Sequence, residues 1–294
     1  NAASIDKVDD YTVKFTLKKP DADLIAKLAL PSMSILSAEY ADKLLKEGNA
    51  ANINQEPVGT GHFVLVRYEK DAQIRFRGNK QYCNPGVVKL DNLIFAITPD
   101  AAVRAQKLKA GECQLAAYPK PQDLPDLAKA PNLKMMEAPG FNIGYVAYNI
   151  EKPQLKDVRV RRALDMAINR KAIIDAVYQG QGQEATNPYP SSLWGYDDTL
   201  RNPPYDPAKA KALLAEAGFP NGFEVSLWAL PVQRPYNPNG RLMAEMLQAD
   251  WAKIGVKANI VTYEWGEYLK RLKTGEEDIA EMGCSVAAVA DGDT

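Results

Sequence analysis

Between Pro207 and Lys273 the sequence alternates between helical and strand periodicity, and this alternation constrains the fold more than any other feature. Pro207–Ala217 reads as a helix stopped by Gly218, Phe223–Leu230 as a strand, and Arg241–Ile254 as a helix stopped by Gly255. Val256–Tyr263 then reads as a strand and Gly266–Lys273 as a helix. Strands joined through helices run parallel, so the pattern predicts βαβ units and a mainly parallel sheet covered on both faces. Just upstream, Phe141–Ile150 predicts a strand rich in tyrosine, Asp157 starts a helix through Ile168, and Lys171–Tyr178 forms another that stops at Gly180. A loop of turn formers covers Gln181–Pro204.

The first half has a different texture. Tyr11, Val13, Phe15 and Leu17 alternate with Thr12, Lys14, Thr16 and Lys18, which predicts a half-buried strand. A short helix follows from Pro20-Asp21 through Leu30, and Ser37 caps a second that ends near Gly48. Phe63–Tyr68 and Gln73–Arg77 predict a hairpin, Asn92–Ile97 a buried strand, and Asp100 a helix that ends at Gly111. Cys113–Ala117 reads as a short strand, and Pro119–Pro131 holds one small helix. Mixed helices and hairpins make this half α/β with some antiparallel pairing.

Composition narrows the function. At 294 residues the chain has room for two domains, and 46% apolar residues supply their cores. Lys plus Arg numbers 36 against 37 Asp plus Glu, so net charge gives no pull toward nucleic acid or an anionic membrane. No apolar run approaches the ~18 residues of a membrane-spanning helix. One histidine, His62, and three scattered cysteines, Cys83, Cys113 and Cys284, leave little material for a zinc site and form no C-x-x-C motif. The 14 tyrosines suit either a pocket with varied contents or strands that favour aromatics.

Few residues point to catalysis. Gly283-Cys284-Ser285-Val286-Ala287 comes within one residue of the nucleophile elbow G-x-S-x-G, but His62, the sole imidazole, precedes that serine, against the hydrolase order. Gly59-Thr60-Gly61 precedes a strand, not a helix, and reads as a tight turn that needs φ > 0. The segment from Leu230 to Gly240 is more promising. It leaves the carboxyl end of a strand, where open α/β sheets bind ligands. Pro231, Pro235 and Pro238 stiffen it around Arg234 and Tyr236. A guanidinium held this way suits a carboxylate, although a solvated arginine in a stiff loop fits the same residues. Trp265 emerges beyond the next strand at the same edge, as a pocket wall or a helix-start core aromatic.

Several longer motifs carry a resemblance. Gln55-Glu-Pro-Val-Gly-Thr-Gly-His-Phe63 is similar to the P-x-G-T-G-P-F loop of the large peptide-binding proteins that feed bacterial ABC importers, solute-binding protein family 5. Tyr148-Asn149 with Asp157 through Leu164, Tyr205 through Gly218, Pro231 through Asn239, Gln248 through Val256 and Thr262 through Lys270 resemble it too, in the same order. The resemblance implies a two-lobed type II periplasmic-binding fold, incomplete at both ends. Residues 1–140 would form part of lobe I, with α/β structure and antiparallel hairpins. Residues 141–294 would form part of lobe II, with the crossover near Pro139–Gly144. Further sequence is expected before residue 1 and after residue 294.

The resemblance further implies a non-enzymatic, periplasmic receptor, expected to be monomeric. It would bind dipeptides or short peptides by their termini and deliver them to an inner-membrane ABC permease, without a cofactor, metal or nucleic acid. Arg234 would take the ligand carboxylate, with Tyr236 and Trp265 as pocket walls. Haem or another carboxylate-bearing solute is the alternative ligand, and a serine hydrolase using Ser285 is the reading from a different class. Three departures from the family pattern involve four positions. His62 replaces a usual proline, and Cys83 and Cys284 stand where relatives have tryptophan. Ala287 falls where an aspartate would grip the peptide's amino group, with Asp291 and Asp293 echoing the motif out of register. A lost ammonium site and a shifted reading of the chain's end both produce that pattern. Cys113 matches a family cysteine whose disulfide partner lies near the mature amino terminus, so a free thiol is expected here.

Overall fold

The computed structural model describes residues 1–84, 86–138, 140–193 and 195–285. Pro139, Ala287, Asp291 and Asp293, each named in the sequence reading, lie outside the described residues. Two compact units divide the chain, Asn1–Ala117 and Tyr118–Thr294. Residues 118–140 therefore cluster with the second unit, whereas the lobe boundary expected at 140/141 concerns the intact fold and stands as a proposal.

In the first unit β1 (Ala2–Lys7) pairs antiparallel with β2 (Val13–Leu17), placing Ile5 opposite Phe15. β1 has no counterpart in the sequence reading: its side chains are mostly exposed, so it shows no alternation. The helices α1 (Leu24–Leu28) and α2 (Ala38–Lys46) follow. The Ser37 hydroxyl accepts the Tyr40 N–H at 3.3 Å, the expected cap of α2. β3 (Phe63–Glu69), β4 (Gln73–Gly78) and β5 (Asn92–Ala96) form an antiparallel sheet in that order, and Asp100 caps α3 (Ala101–Lys109). Three expectations change here. β5 is not buried: Ile94 and Phe95 are 50% and 53% exposed, Phe95 meeting only the edge of Phe76 at 6.0 Å. Cys113–Ala117 is irregular, since no strand pairs with it. Neither Gly59 nor Gly61 has a positive φ, and a Cβ at either would meet nothing within 4 Å, so that turn does not require glycine.

The second unit contains α4 (Leu124–Ala128), β6 (Asn142–Tyr148), α5 (Val158–Met166), and α6 (Arg170–Ile173), which runs into a π-helical turn at Ile174–Tyr178. Then come α7 (Pro207–Glu216), β7 (Glu224–Trp228), α8 (Gly240–Ala252), β8 (Lys257–Val261), α9 (Trp265–Leu272) and β9 (Ile279–Ser285). Among the described residues the sheet order is β6-β9-β7-β8. β7 runs parallel to both neighbours, as the βαβ pattern predicts, while β6 and β9 are antiparallel. The sequence reading contains no β9, although this strand lies between β6 and β7.

Both sheet faces are covered, and β7 shows how. Val225, Leu227 and Ala229 point into a core shared with Val160, Leu164, Leu214, Leu247 and Trp251 from α5, α7 and α8. Trp228 and Leu230 point the other way, into a smaller core with Tyr268 of α9 and Ala280 of β9. Asn149 ties the end of β6 to the turn before β9, donating its amide hydrogens to the carbonyls of Gly275 and Glu277. No helix among the described residues is long and apolar enough to cross a membrane.

Trp251 is the largest side chain with no exposed surface, and its indole N–H donates to the Leu164 carbonyl at 3.0 Å, fastening α8 to α5. Trp251→Ala should lower the unfolding free energy in urea by about 3–5 kcal/mol, the range for deleting a large core aromatic. A loss under about 1 kcal/mol would show that this core does not hold the second unit together.

Candidate functional site

The loop from Ala229 to Asn239 leaves the carboxyl end of β7 and ends at the cap of α8, where Asn239 Oδ1 accepts the Leu242 N–H at 3.1 Å. Its middle is closed by two backbone bonds, Arg234 N–H to Asn237 O at 3.0 Å and Asn237 N–H to Arg234 O at 3.1 Å. Pro235 and Tyr236 form the turn between them. The Arg234 guanidinium carbon lies over the Trp265 indole, 4.1 Å from the ring centroid. Trp265 opens α9, one residue after the helix cap Glu264, which accepts the N–H groups of Gly266 and Glu267. The structure therefore brings Arg234 and Trp265 together, from two crossovers that start at the same sheet edge.

Behind them the rings continue inward. Trp265 stacks on Tyr268 at 5.8 Å, Tyr268 meets Trp228 edge-on at 5.5 Å, and Trp228 meets Tyr263 at 4.8 Å. The Arg271 guanidinium covers Tyr263 at 4.5 Å. Tyr268 is fully buried, and its hydroxyl sits 2.9 Å from Glu281 O and 3.2 Å from Trp228 O. Trp265 is thus a rigid backing plate, which limits the directions open to Arg234. Among the described residues no carboxylate lies within ion-pair distance of Arg234, whose side chain also hydrogen-bonds the Tyr236 phenol, so its charge is left for a ligand.

Tyr236 is seated differently. Gly144 of β6 and Gly283 of β9 are register partners, and the tyrosine lies across both. A Cβ at Gly144 would come within 2.5 Å of Tyr236 O, and one at Gly283 within 2.2 Å of its ring. Glycine at both positions is what lets the loop press onto the sheet. The Tyr178 hydroxyl donates to Tyr236 O at 2.8 Å. Burial raises the Tyr236 phenol, and the Arg234 charge pulls it partly back.

Tyr236 also lines a cavity of about 840 Å³ beside β6. Tyr145, Tyr148, Tyr178, Tyr189 and Tyr196 line it too, so strand preference and pocket lining coincide in β6. Arg234 and Trp265 are not part of that lining. Asp165, on its wall, is raised by desolvation, with Arg170 opposing. Among the described residues no group of three or more His, Cys, Asp or Glu is placed to hold a metal ion.

The elbow pattern takes another form. Gly283, Cys284 and Ser285 stay in strand register with Gly144, Ile143 and Asn142, whereas a nucleophile elbow needs its serine on a strand-to-helix turn. His62 stacks on Tyr82 at 4.1 Å, within the first unit. The sequence reading has no role for Gly144, Gly283, Tyr178 or Glu281. A lone glycine in an extended run was the available signal for Gly283, since it marks close backbone approach.

The sequence profile of the family described as "Bacterial extracellular solute-binding proteins, family 5 Middle" matches residues 1–294. The chain is 61% identical over 285 residues to the di/tripeptide-binding protein 1 of Pseudomonas aeruginosa (strain UCBPP-PA14), covering 97% of this chain and 53% of that protein. It is 50% identical over 282 residues to the heme-binding protein A of Haemophilus influenzae, covering 96% of this chain and 51% of that one. The chain thus spans about half the length of the curated relatives it matches. A solved dipeptide-binding protein from Pseudoalteromonas sp. SM9913, in complex with Met-Leu, superposes with a TM-score of 0.91 at 36% identity, covering 99% of this chain and 57% of that one.

The glycine seat leads to a direct test. Gly283→Ala should displace Tyr236 and destabilise the second unit by about 1–3 kcal/mol, as overpacking does, with a shift in tryptophan emission because the loop carries Arg234 off Trp265. Unchanged urea unfolding and unchanged emission would mean that Tyr236 does not rest on β9.

Proposed function

The chain belongs to the bacterial extracellular solute-binding proteins of family 5, and on that premise we propose that it serves a bacterial ABC importer as a dipeptide receptor. The observation that carries this reading is the Arg234 guanidinium, laid on Trp265 at 4.1 Å with no carboxylate partner among the described residues. A guanidinium is planar and presents paired N–H donors in one plane, which matches the two oxygens of a peptide's terminal carboxylate. Trp265 backs the charge, and Tyr236 forms the adjoining wall. Such a site reads the ligand's terminus and leaves the side chains to roomy, partly wet pockets, so it measures length without reading sequence. The names of the relatives, di/tripeptide-binding and dipeptide-binding, support the same ligand class.

The partner in this reading is an inner-membrane permease, the location is the periplasm, and the receptor acts as a monomer without a cofactor. Ligand binding shifts the population toward a closed form, and the permease recognises that form. A second reading, haem or another carboxylate-bearing solute, is favoured by the 50% identity to a heme-binding protein. A porphyrin's carboxylates would use Arg234 in the same way. The single histidine of this chain, the one imidazole it could offer the iron, lies in the first unit against Tyr82.

Calorimetric titration of the full-length protein with alanyl-alanine tests the proposal. Arg234→Ala should weaken binding by about 2–5 kcal/mol, roughly 30-fold to several thousand-fold, most of it the cost of a stranded carboxylate. A loss below about 0.5 kcal/mol would remove Arg234 from the site. Tight one-to-one binding of haem, with no heat from the dipeptide, would favour the second reading instead.

A further inference from the structure

Glu281 sits mid-strand in β9 with 1% of its surface exposed, and nothing in the ligand chemistry above uses it. Carboxylates are rarely buried whole unless a partner holds them. Here Oε2 accepts the Leu230 N–H at 2.9 Å and the Asn237 Nδ2 at 3.3 Å. Leu230 precedes residues 231–236 and Asn237 follows them, so one oxygen gathers both ends of the segment that bears Arg234 and Tyr236. Asn237 is itself 2% exposed and accepts the Asn239 N–H at 3.1 Å, which extends the anchor to the start of α8. Gly240 completes the fit, since a Cβ there would come within 2.8 Å of Oε2. The other oxygen, Oε1, is buried without a hydrogen-bond partner.

We propose that Glu281 is a positioning residue for the ligand site: it pins both ends of segment 231–236 and thereby fixes the direction from which Arg234 meets a carboxylate. The inference rests on the peptide-receptor reading and deepens it.

The surroundings decide which form of the carboxyl does this. From β6 its register partner is Val146, and from α8 its neighbour is Gly240. The titratable groups that face it are two phenols, Tyr178 from the π-helical turn and Tyr268 from α9. Both are raised, first by burial and then by the charge of Glu281, Tyr178 to about 12. No cationic side chain of the described residues lies within ion-pair distance, and the loop's own cation, Arg234, is turned onto Trp265. Burial therefore pushes the Glu281 carboxyl up to about 8, against the pull of Leu230 and Asn237. At neutral pH Oε2 acts as a carbonyl oxygen toward both donors, and Oε1 carries the proton. Above about pH 8 the group becomes a buried anion with no counter-ion. Relief comes from water reaching Oε1, which requires segment 231–236 to loosen. The neutral form is the anchoring one, so its contribution is whole below the ordinary carboxyl range, falls as pH rises from there toward about 8, and is gone above that.

Calorimetry with alanyl-alanine on the full-length wild type, Glu281→Gln and Glu281→Ala, from about pH 6 to about pH 9, tests the role. Glutamine keeps the carbonyl acceptor and cannot titrate. At neutral pH Glu281→Ala should bind about tenfold more weakly, and Glu281→Gln should recover most of that loss. Between neutral pH and about 9 the wild-type dissociation constant should rise about tenfold more than that of Glu281→Gln. The peptide's own amino group titrates in the same range, but equally in both proteins, so the ratio isolates Glu281. Parallel pH profiles for wild type and Glu281→Gln would overturn the inference, as would an alanine variant that binds like wild type. Should Glu281→Ala fail to fold, the wild-type to Glu281→Gln ratio decides alone. If Arg234→Ala binds as well as wild type, the receptor reading itself fails. If Arg234→Ala loses binding while Glu281→Gln tracks wild type, the positioning role alone fails.

Discussion

One oxygen of Glu281 receives a hydrogen from Leu230 and another from Asn237, and the shape of the candidate site follows from that pair of bonds. Without that carboxyl the loop would keep its prolines, the reciprocal Arg234–Asn237 bonds, the Tyr178 bond to Tyr236 and the Arg234–Trp265 contact, but neither of its ends would be fastened to β9. With the carboxyl in place it is fastened to the sheet at both ends. Two residues further along the same strand, Gly283 leaves the hollow in which the Tyr236 ring rests. Successive residues of a strand alternate between faces, so Glu281 and Gly283 act from the same side of β9. A one-residue slip of β9 would lose the anchor and the seat together.

The rest of the second unit secures that register. β9 is held on one side by β6 in an antiparallel ladder and on the other by β7 in a parallel one. The larger core behind β7, built on Leu164, Leu247 and Trp251, keeps α5, α7 and α8 against the sheet. On the opposite face Tyr268 joins the aromatic stack to the carbonyls of Trp228 and Glu281, so the plate behind Arg234 is continuous with the smaller core. Site and stability are therefore coupled through shared residues. The exposed apolar side chains of β5 have no such support among the described residues of the first unit.

Much of this was legible in the sequence, for identifiable reasons. The alternation from Pro207 to Lys273 gave β7, α8, β8 and α9, because each helix has a glycine or a capping side chain at a boundary and each strand a run of apolar residues. Arg234 and Trp265 follow from the same pattern, since both leave the carboxyl end of a strand, and their contact at 4.1 Å is its structural consequence. The segment Ile279–Ser285 was opaque, because a glutamate and a glycine interrupt its apolar run and its last residues imitate a catalytic motif. Burial of Glu281 depends on which strands flank β9, and the seat of Tyr236 on the pairing of Gly144 with Gly283. Both are long-range facts that local periodicity does not carry. β5 was read as buried from its apolar run, but burial needs a covering layer as well as apolar side chains.

In the proposed receptor a planar guanidinium, backed by Trp265 and held by a loop anchored on β9, receives a ligand's terminal carboxylate. A crystal structure of the full-length protein grown with alanyl-alanine tests it most directly. The peptide carboxylate should lie at charge-assisted hydrogen-bond distance from Arg234, about 2.7–2.9 Å, with the indole still behind the guanidinium and Leu230 and Asn237 still bound to Glu281. A dipeptide bound with its carboxylate on another residue, and Arg234 left to solvent, would contradict it.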